Sequence, residues 1–513
     1  MLNTNNNAAH LRKDILTEIA RLQLAGKLSD PKTVDEIEKI PFQIIPDDSI
    51  PVMGSLEKDR EIIKNRIVAN LGHSLEDYDE SKSLSEYVKE AYERERPTWP
   101  ILTMIQSACN ACVKPQYFAT DACQACLARP CMVNCPKQAI EVTDRARIDP
   151  KKCINCGLCA QNCPYHAIIK TVVPCEEACP VGAISKGEDG KETIDFEKCI
   201  FCGKCMSNCP FSAMMGKSQL FDVIKHIMNN KKLIALYAPA IGAQYRTKQG
   251  QLENALLESG FFKVMEVAMG ADITADNEAR EFEERMERGD KMMTTSCCPA
   301  YVRAVNIHVP ELSPCISETK SPMIYTAQVA KQAYPDCITV FIGPCLAKRR
   351  EGFDNEIIDY VLSVDEVNAL FTAKNIDLAK MPVTNEQALK YIPTVSGRNF
   401  AKTGGVAESV RVRLKDKSYL RPVVINGLDK NGMKILASYG QINAGKVPTP
   451  ADCPNLIEVM ACEGGCIAGP SVITNPKLAG GLLNMYANAG SKPQEDGIPV
   501  KCDIESVVEG ARA

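Results

Sequence analysis

Four cysteines in the order Cys153-x2-Cys156-x2-Cys159-x3-Cys163, followed by Pro164, constrain this chain more than any other feature in it. The run recurs as Cys199-x2-Cys202-x2-Cys205-x3-Cys209 before Pro210. A looser copy, Cys123-x2-Cys126-x4-Cys131-x3-Cys135, precedes Pro136, and a shorter piece, Cys175-x3-Cys179, precedes Pro180. Cys109-x2-Cys112 stands alone upstream. One turn carrying three closely spaced thiolates covers three corners of an iron–sulfur cubane, and a distant segment supplies the fourth. The proline restricts the backbone of the cysteine before it. Of 25 cysteines in 513 residues, sixteen fall within 109–209. Disulfides are the other use of such density, but they belong to small exported chains. Here the first thirty residues are polar and helical in pattern, with no apolar export segment. Zinc suits an isolated CxxC pair equally well; the complete run ending in proline, present twice, favours iron–sulfur.

The run C-x2-C-x2-C-x3-C-P is the bacterial ferredoxin signature, in which the fourth cysteine serves the other cluster of a pair. Sixteen cysteines suffice for four 4Fe–4S clusters. Crossing the ligands gives one on Cys123, Cys126, Cys131 and Cys163, and a second on Cys135, Cys153, Cys156 and Cys159. A third uses Cys179, Cys199, Cys202 and Cys205, which leaves Cys109, Cys112, Cys175 and Cys209 for a fourth. Exchange of Cys179 with Cys209 stays open, as does a set of three clusters with spare thiols. Several clusters in a row imply electron transport between the surface and a buried site.

The length gives room for two to four domains. We expect a helical N-terminal region over 1–105 and a multi-cluster, α+β ferredoxin-like domain over 106–217. An α/β catalytic domain with parallel sheets is expected over 218–513. The first region predicts helices at 8–26, 56–71 and 84–96, with Pro97 and Pro100 marking its end. It contains no catalytic constellation and reads as a layer that packs on or positions the rest. The last region predicts strands at 233–237, 264–269, 338–342, 423–425 and 456–460. Several run into unusual loops: Ala238-Pro239-Ala240, Gly343-Pro344-Cys345, and the segment from Ala461 to Cys466. Ligands of open α/β sheets bind beyond the carboxyl ends of the strands, so these cysteines fall where a cofactor would sit. A net charge of -4 gives no reason to expect nucleic acid or an anionic membrane as a partner. No run of eighteen apolar residues is present to span a bilayer, and the expected location is cytoplasmic.

Three segments carry a more specific resemblance. Thr295-Ser296-Cys297-Cys298-Pro299, Gly343 through Glu351 (GPCLAKRRE) and Glu458 through Cys466 (EVMACEGGC) resemble, in order and spacing, the signature motifs of FeFe hydrogenases. The resemblance covers roughly residues 109–485, and the TSCCPAY form of the first motif is similar to a less-studied subgroup. It implies reversible interconversion of H2 with protons and electrons at an H-cluster. That cofactor is a 4Fe–4S cubane joined to a two-iron subcluster bearing CO, cyanide and an azadithiolate, whose amine is the nearby base.

Thiolates from three strand-end loops, Cys298, Cys345, Cys462 and Cys466, can cage the cubane. Neighbouring residues of an extended segment point to opposite sides, so only one of Cys297 and Cys298 ligates it. The resemblance assigns ligation to Cys298, proton transfer to Cys297, and the bridge to the two irons to Cys466. Gly464 and Gly465 let the chain approach a bulky group. The resemblance further implies that Lys348 hydrogen-bonds a cyanide and that Ala238, Pro239, Ser296 and Met460 line the two-iron pocket. A surface lysine, an ordinary turn and a buried strand methionine are the plainer readings. Ser317 aligns with a proton-path serine, and Glu278 and Glu281 with its two glutamates if one residue is deleted before the first motif. A charged helix surface is the alternative there. The implied partners are a ferredoxin or similar soluble carrier and hydrogenase maturation proteins, in an anaerobic or microaerobic host.

The chain departs from the family pattern at Tyr301, where tryptophan is usual, at Gly343, often methionine, and at Met323, often glutamine. These positions bear on rate, potential and direction rather than on the ligands. Cys315, Cys337, Cys453 and Cys502 are expected as small buried hydrophobes. Rival readings are a Narf-like iron–sulfur protein lacking the two-iron unit, a hydrogen sensor, or a hydrogenase subunit of a larger redox complex. All three motifs keep their ligand cysteines, no PAS-like extension is evident, and no GxGxxG stands out to indicate direct nicotinamide use.

Overall fold

In the computed structural model, residues 6–248, 250–383 and 392–490 are described; Cys502 lies outside them. The chain opens with helix Asn7–Leu24, started by the Asn6 side chain, which accepts the Ala9 N–H at 3.0 Å. Its buried stripe includes Ile15, Leu16, Ile19 and Ala20 and packs on helices Leu220–Met228 and Val364–Ala373. The next expected helices span Leu56–Asn70, capped by Ser55, and Leu84–Glu93, opened by a Ser83–Glu86 capping box. The latter stops short of residue 96, because Arg94 is already extended and pairs with the buried Asp222 at 2.8 Å.

The cysteine-rich region is two small antiparallel units, one nested in the other. The inner unit pairs strand Tyr117–Ala119 with Ile168–Lys170 and hairpin strand Ile140–Val142 with Ala146–Ile148. The outer unit repeats that plan, pairing Leu102–Met104 with Met214–Gly216 and Ile184–Lys186 with Glu192–Ile194. Nesting accounts for the solitary Cys109–Cys112 pair: it belongs to the outer unit, whose other cysteines follow the insert. Leu102–Met104 precedes residue 106, so a boundary at 105 would separate this strand from its partner.

Beyond it stand two parallel sheets. The first has the order Lys263–Glu266, Leu233–Tyr237, Ile338–Ile342, Tyr360–Leu362. The second has the order Met293–Thr294, Leu456–Met460, Pro422–Asn426. Leu233–Tyr237 and Leu456–Met460 are buried throughout, as parallel strands covered on both faces must be. The strand expected over 264–269 ends at Glu266. The Val267 N–H bonds Tyr237 O at 2.9 Å, and the chain then turns into helix Ala268–Arg288, which takes Met269. Met293–Thr294 and Tyr360–Leu362 went unpredicted, since two or three residues show no alternation to read. Cys315, Cys337 and Cys453 are buried free thiols.

Candidate active site and its cluster chain

The cysteine-rich units share one backbone motif. Two residues beyond each Cys-Pro, φ is positive: 48° at Gln138, 49° at His166, 63° at Gly182 and 50° at Ser212. The following N–H donates to the cysteine sulfur, Ala139 to Cys135 and Ala167 to Cys163 at 3.3 Å, Ala183 to Cys179 at 3.2 Å and Ala213 to Cys209 at 3.4 Å. In the first Cys-x-x-Cys pair of each run the residue before the second cysteine is also left-handed: Ala111, Ala125, Asn155 and Phe201. Such backbone costs a non-glycine residue about 1–3 kcal/mol. It is kept where it aims N–H groups at an anion, as around iron–sulfur clusters.

The thiols gather in quartets. One void is lined by Cys135, Cys153, Cys156 and Cys159, and another by Cys179, Cys199, Cys202 and Cys205. Cys179, not Cys209, thus sits with the Cys199 run. Burial and the neighbouring Cys123 and Cys163 push the Cys131 thiol up. Burial together with Cys109 and Cys209 does the same to Cys112, while burial, Glu192 and Cys209 push Cys175 to about 12. Among the described residues no three His, Cys, Asp or Glu side chains converge as ligands of a single ion would. A four-iron cubane asks for a wider set, because each thiolate takes a different iron.

A further quartet sits where both parallel sheets end. Strand Met293–Thr294 leads to Cys298, Ile338–Ile342 to Cys345, and Leu456–Met460 to Cys462 and Cys466. Burial and then Cys298 push Cys345 to about 11, and burial with Cys345 and Cys298 pushes Cys466 to about 12. Cys462 is driven up by burial, Cys345, Cys466 and Cys298, and also by Cys202, so the Cys199 run lies beside this site. Four thiols crowded together resist ionisation; a metal centre removes that cost by deprotonating what it coordinates. The donor set therefore fits a cubane. Gly465 has φ 93°, and a Cβ there would lie 2.7 Å from Ala401 O, so no side chain is admitted.

Cys297 packs with Ala271, Ala275, Phe400, Val406 and Met460. Burial first, and then Glu278, raise its thiol. Glu278 has no exposed surface; its Oε1 accepts the Ser296 N–H at 3.0 Å, and its Oε2 has no hydrogen-bond partner. Burial raises its carboxyl to about 8. Glu281, one turn on, accepts from Ser317 Oγ at 2.6 Å, Thr319 Oγ1 at 3.0 Å, the Glu318 N–H at 2.9 Å and Arg285 Nε at 2.8 Å. Burial works upward on Glu281, but these donors and the Arg285 charge outweigh it and hold the group below its ordinary value. The structure thus brings Cys297, Glu278, Ser317 and Glu281 together, one carboxyl poised near neutrality and the other ionised.

Lys348 is half-buried and bonds Glu351 Oε2 at 2.6 Å. Burial pulls its pKa down, while Glu351, Cys345 and Cys297 raise it further, so it stays cationic beside the thiols. The Ala238 N–H bonds Ile342 O at 2.9 Å, which fixes the turn before Pro239. A Cβ on Gly343 would lie 2.7 Å from the Phe341 ring and 3.5 Å from Ala238 Cβ; Phe341 fills the room a longer residue would need. Tyr301 is buried and donates to Thr294 Oγ1 at 2.6 Å. Met323 packs with Ala238, Met265 and Met269. Sequence reasoning placed Glu351 in a motif but gave it no role, although three residues from Lys348 on a helix is a readable ion-pair spacing. It likewise gave none to Glu458, buried in a strand, whose carboxylate accepts the N–H groups of Gly404 and Ala407 at 2.8 and 2.7 Å.

Thiol quartets, those of the cysteine-rich units set beside backbone N–H donors, together with a buried acid–base chain, define an iron–sulfur oxidoreductase. Residues 231–470 match the model of the iron only hydrogenase large subunit, C-terminal domain; 146–169 match a 4Fe-4S binding domain and 174–213 a 4Fe-4S dicluster domain. The periplasmic Fe hydrogenase large subunit of Nitratidesulfovibrio vulgaris is 30% identical over 420 residues, 69% of this chain and 95% of that protein. Iron hydrogenase 1 of Clostridium pasteurianum is 29% identical over 403 residues, 67% of this chain and 68% of that one. A solved variant of the FeFe-hydrogenase HydA1 from Chlamydomonas reinhardtii superposes with TM-score 0.40 at 20% identity, over 51% of this chain and 88% of that one. The chain belongs to the iron-only hydrogenase family. It is an enzyme that oxidises H2 or reduces protons, with iron–sulfur clusters carrying the electrons. Among the described residues, no helix is long and apolar enough to cross a membrane.

Proposed function

We propose that this hydrogenase is of the TSCCPAY subgroup and holds an H-cluster on Cys298, Cys345, Cys462 and Cys466, with Cys466 as the bridge. Bound there, the H-cluster supplies the metal site at which H2 is cleaved or formed, and a cubane that stores an electron. Lys348, kept cationic and tethered by Glu351, stabilises the anionic ligands, while Ala238, Pro239, Ser296 and Met460 shape the pocket. Cys297 Sγ holds the transferable proton. Glu278 Oε2, with no competing partner, exchanges it, and Ser317 Oγ passes it to Glu281. That chain of groups around Cys297, with Glu278 near 8, is the observation that carries the reading.

Four accessory clusters take the ligand sets Cys123/Cys126/Cys131/Cys163, Cys135/Cys153/Cys156/Cys159, Cys109/Cys112/Cys175/Cys209 and Cys179/Cys199/Cys202/Cys205. The proximity of Cys202 to Cys462 supports the last as the one next to the H-cluster. A ferredoxin or similar soluble carrier exchanges electrons at the outer clusters, and maturation proteins install the two-iron unit, in the cytoplasm of an anaerobic or microaerobic cell. The functional division is then a helical layer up to about residue 101, cluster units from Leu102 to about 217, and the catalytic domain beyond, with the nested strand pairing as support. Anaerobic infrared spectroscopy of matured, iron-counted protein tests this. CO and cyanide bands together with viologen-dependent H2 turnover are expected; their joint absence from fully loaded protein rejects the proposal.

A further inference from the structure

The four Cys-Pro turns are alike in backbone, yet one of them is served differently. In each, the carbonyl of the left-handed residue belongs to the same peptide whose N–H donates to the cysteine sulfur. Arg66, on helix Leu56–Asn70, sets Nη1 on Ser212 O at 3.0 Å and Nη2 on Phe211 O at 3.1 Å. Among the described residues, the matching carbonyls of Gln138, His166 and Gly182 accept no side-chain hydrogen bond, so this guanidinium marks the Cys209 turn alone. Arg66 is only 7% exposed, and its Nε has no partner. Burial and the nearby Arg12 lower its pKa to about 10 against the pull of Cys209, which still leaves it cationic at neutral pH.

A cation on the carbonyl of a peptide polarises that peptide and strengthens its N–H as a donor. Here that N–H is Ala213, 3.4 Å from Cys209 Sγ. Reduction adds negative charge to a cluster, and both stronger N–H···S bonds and a buried cation favour the reduced form. We propose that Arg66 is a positioning residue of the electron route, which raises the reduction potential of the cluster held at Cys209 through the Ser212–Ala213 peptide. The helical N-terminal layer thereby acts on the redox chemistry as well as on packing. The proposal rests on the reading that Cys209 ligates a cluster.

The test is an electron paramagnetic resonance redox titration, with iron counted, of the full chain as wild type, C209S, C209A, R66Q and R66K. C209S is expected to lose one cluster signal. In R66Q that same signal should titrate lower, with the oxidised-to-reduced ratio at a fixed potential up about ten-fold, equivalent to about 59 mV for a one-electron couple. The other signals should hold still, and R66K, which keeps the charge, should recover most of the shift. An unmoved midpoint in R66Q, with C209S one cluster short, overturns the tuning and leaves the ligand reading intact. Equal displacement of every signal in R66Q overturns it as well. A full iron count in both C209S and C209A, the latter offering no donor atom, removes the ligand reading beneath it. Should R66Q not fold, R66M, which keeps the apolar stem and removes the charge, decides: a midpoint moved below wild type in that signal alone supports the proposal, and no movement rejects it.

Discussion

Replacing Glu278 by glutamine should make the protein slower and, at neutral pH, more stable. The amide can still accept the Ser296 N–H now held at 3.0 Å, so the local fold survives, but it cannot carry a proton. Loss of a positioned acid–base group costs about 10²–10⁴ in rate, and turnover should fall within that range. The stability gain follows from linkage. The carboxyl titrates at 4.5 when unperturbed and near 8 in the folded chain. Below 4.5 both states are protonated and burial carries no electrostatic cost. Between 4.5 and 8 the unfolded chain releases a proton that the folded chain keeps, so stability falls by about 1.4 kcal/mol per pH unit. By pH 7 the loss is about 3 kcal/mol, and above 8 it levels off near 5 kcal/mol. Glutamine pays none of this. H2 evolution from reduced viologen, measured by gas chromatography, gives the rate; thermal unfolding from pH 5.5 to 8.5 gives the stability difference. Turnover within ten-fold of wild type, or a melting difference that does not grow with pH, would refute the assignment of Glu278 as a buried, protonated relay.

Other variants separate holding metal from moving protons. C297A should keep its full iron content while turnover drops by at least about 100-fold, read by iron assay and viologen activity on one sample. C345A should lose the iron of one cubane and with it the CO and cyanide bands, while the accessory cluster signals persist. Arg398 grips Glu266 with Nε–Oε1 at 2.9 Å and Nη2–Oε2 at 2.8 Å, both side chains buried. R398L strands that carboxylate and should cost about 3–5 kcal/mol, seen as a lowered melting temperature; adding E266L should recover most of it.

Much of the site was readable because ligand chemistry is local. Three thiols in one turn announce a cluster wherever the turn lies, and the strands at Leu233–Tyr237, Ile338–Ile342 and Leu456–Met460 are apolar runs cut off by sharp loops. Glu278 and Glu281 were harder, because a glutamate-rich helix looks the same whether it faces water or a core; only the burial of one face tells them apart. Nested pairing was illegible, since strands of three residues have no period and Leu102–Met104 finds its partner across the whole inserted unit. Contacts such as Arg66 with Ser212 join residues 146 apart and leave no mark in either neighbourhood. Tyr301 and Gly343 showed only as departures; their partners, Thr294 and Phe341, explain them.

The inner cluster unit leaves and rejoins the outer one at a single point, where the Thr171 N–H meets Gln116 O at 2.9 Å. A segment whose two ends already touch can be excised or acquired with little rearrangement of what surrounds it. Under the proposed ligand sets the wiring of this enzyme is therefore modular in length: a shortened chain would keep the two cluster sites proposed for the enclosing unit and change only how far from the catalyst an electron enters.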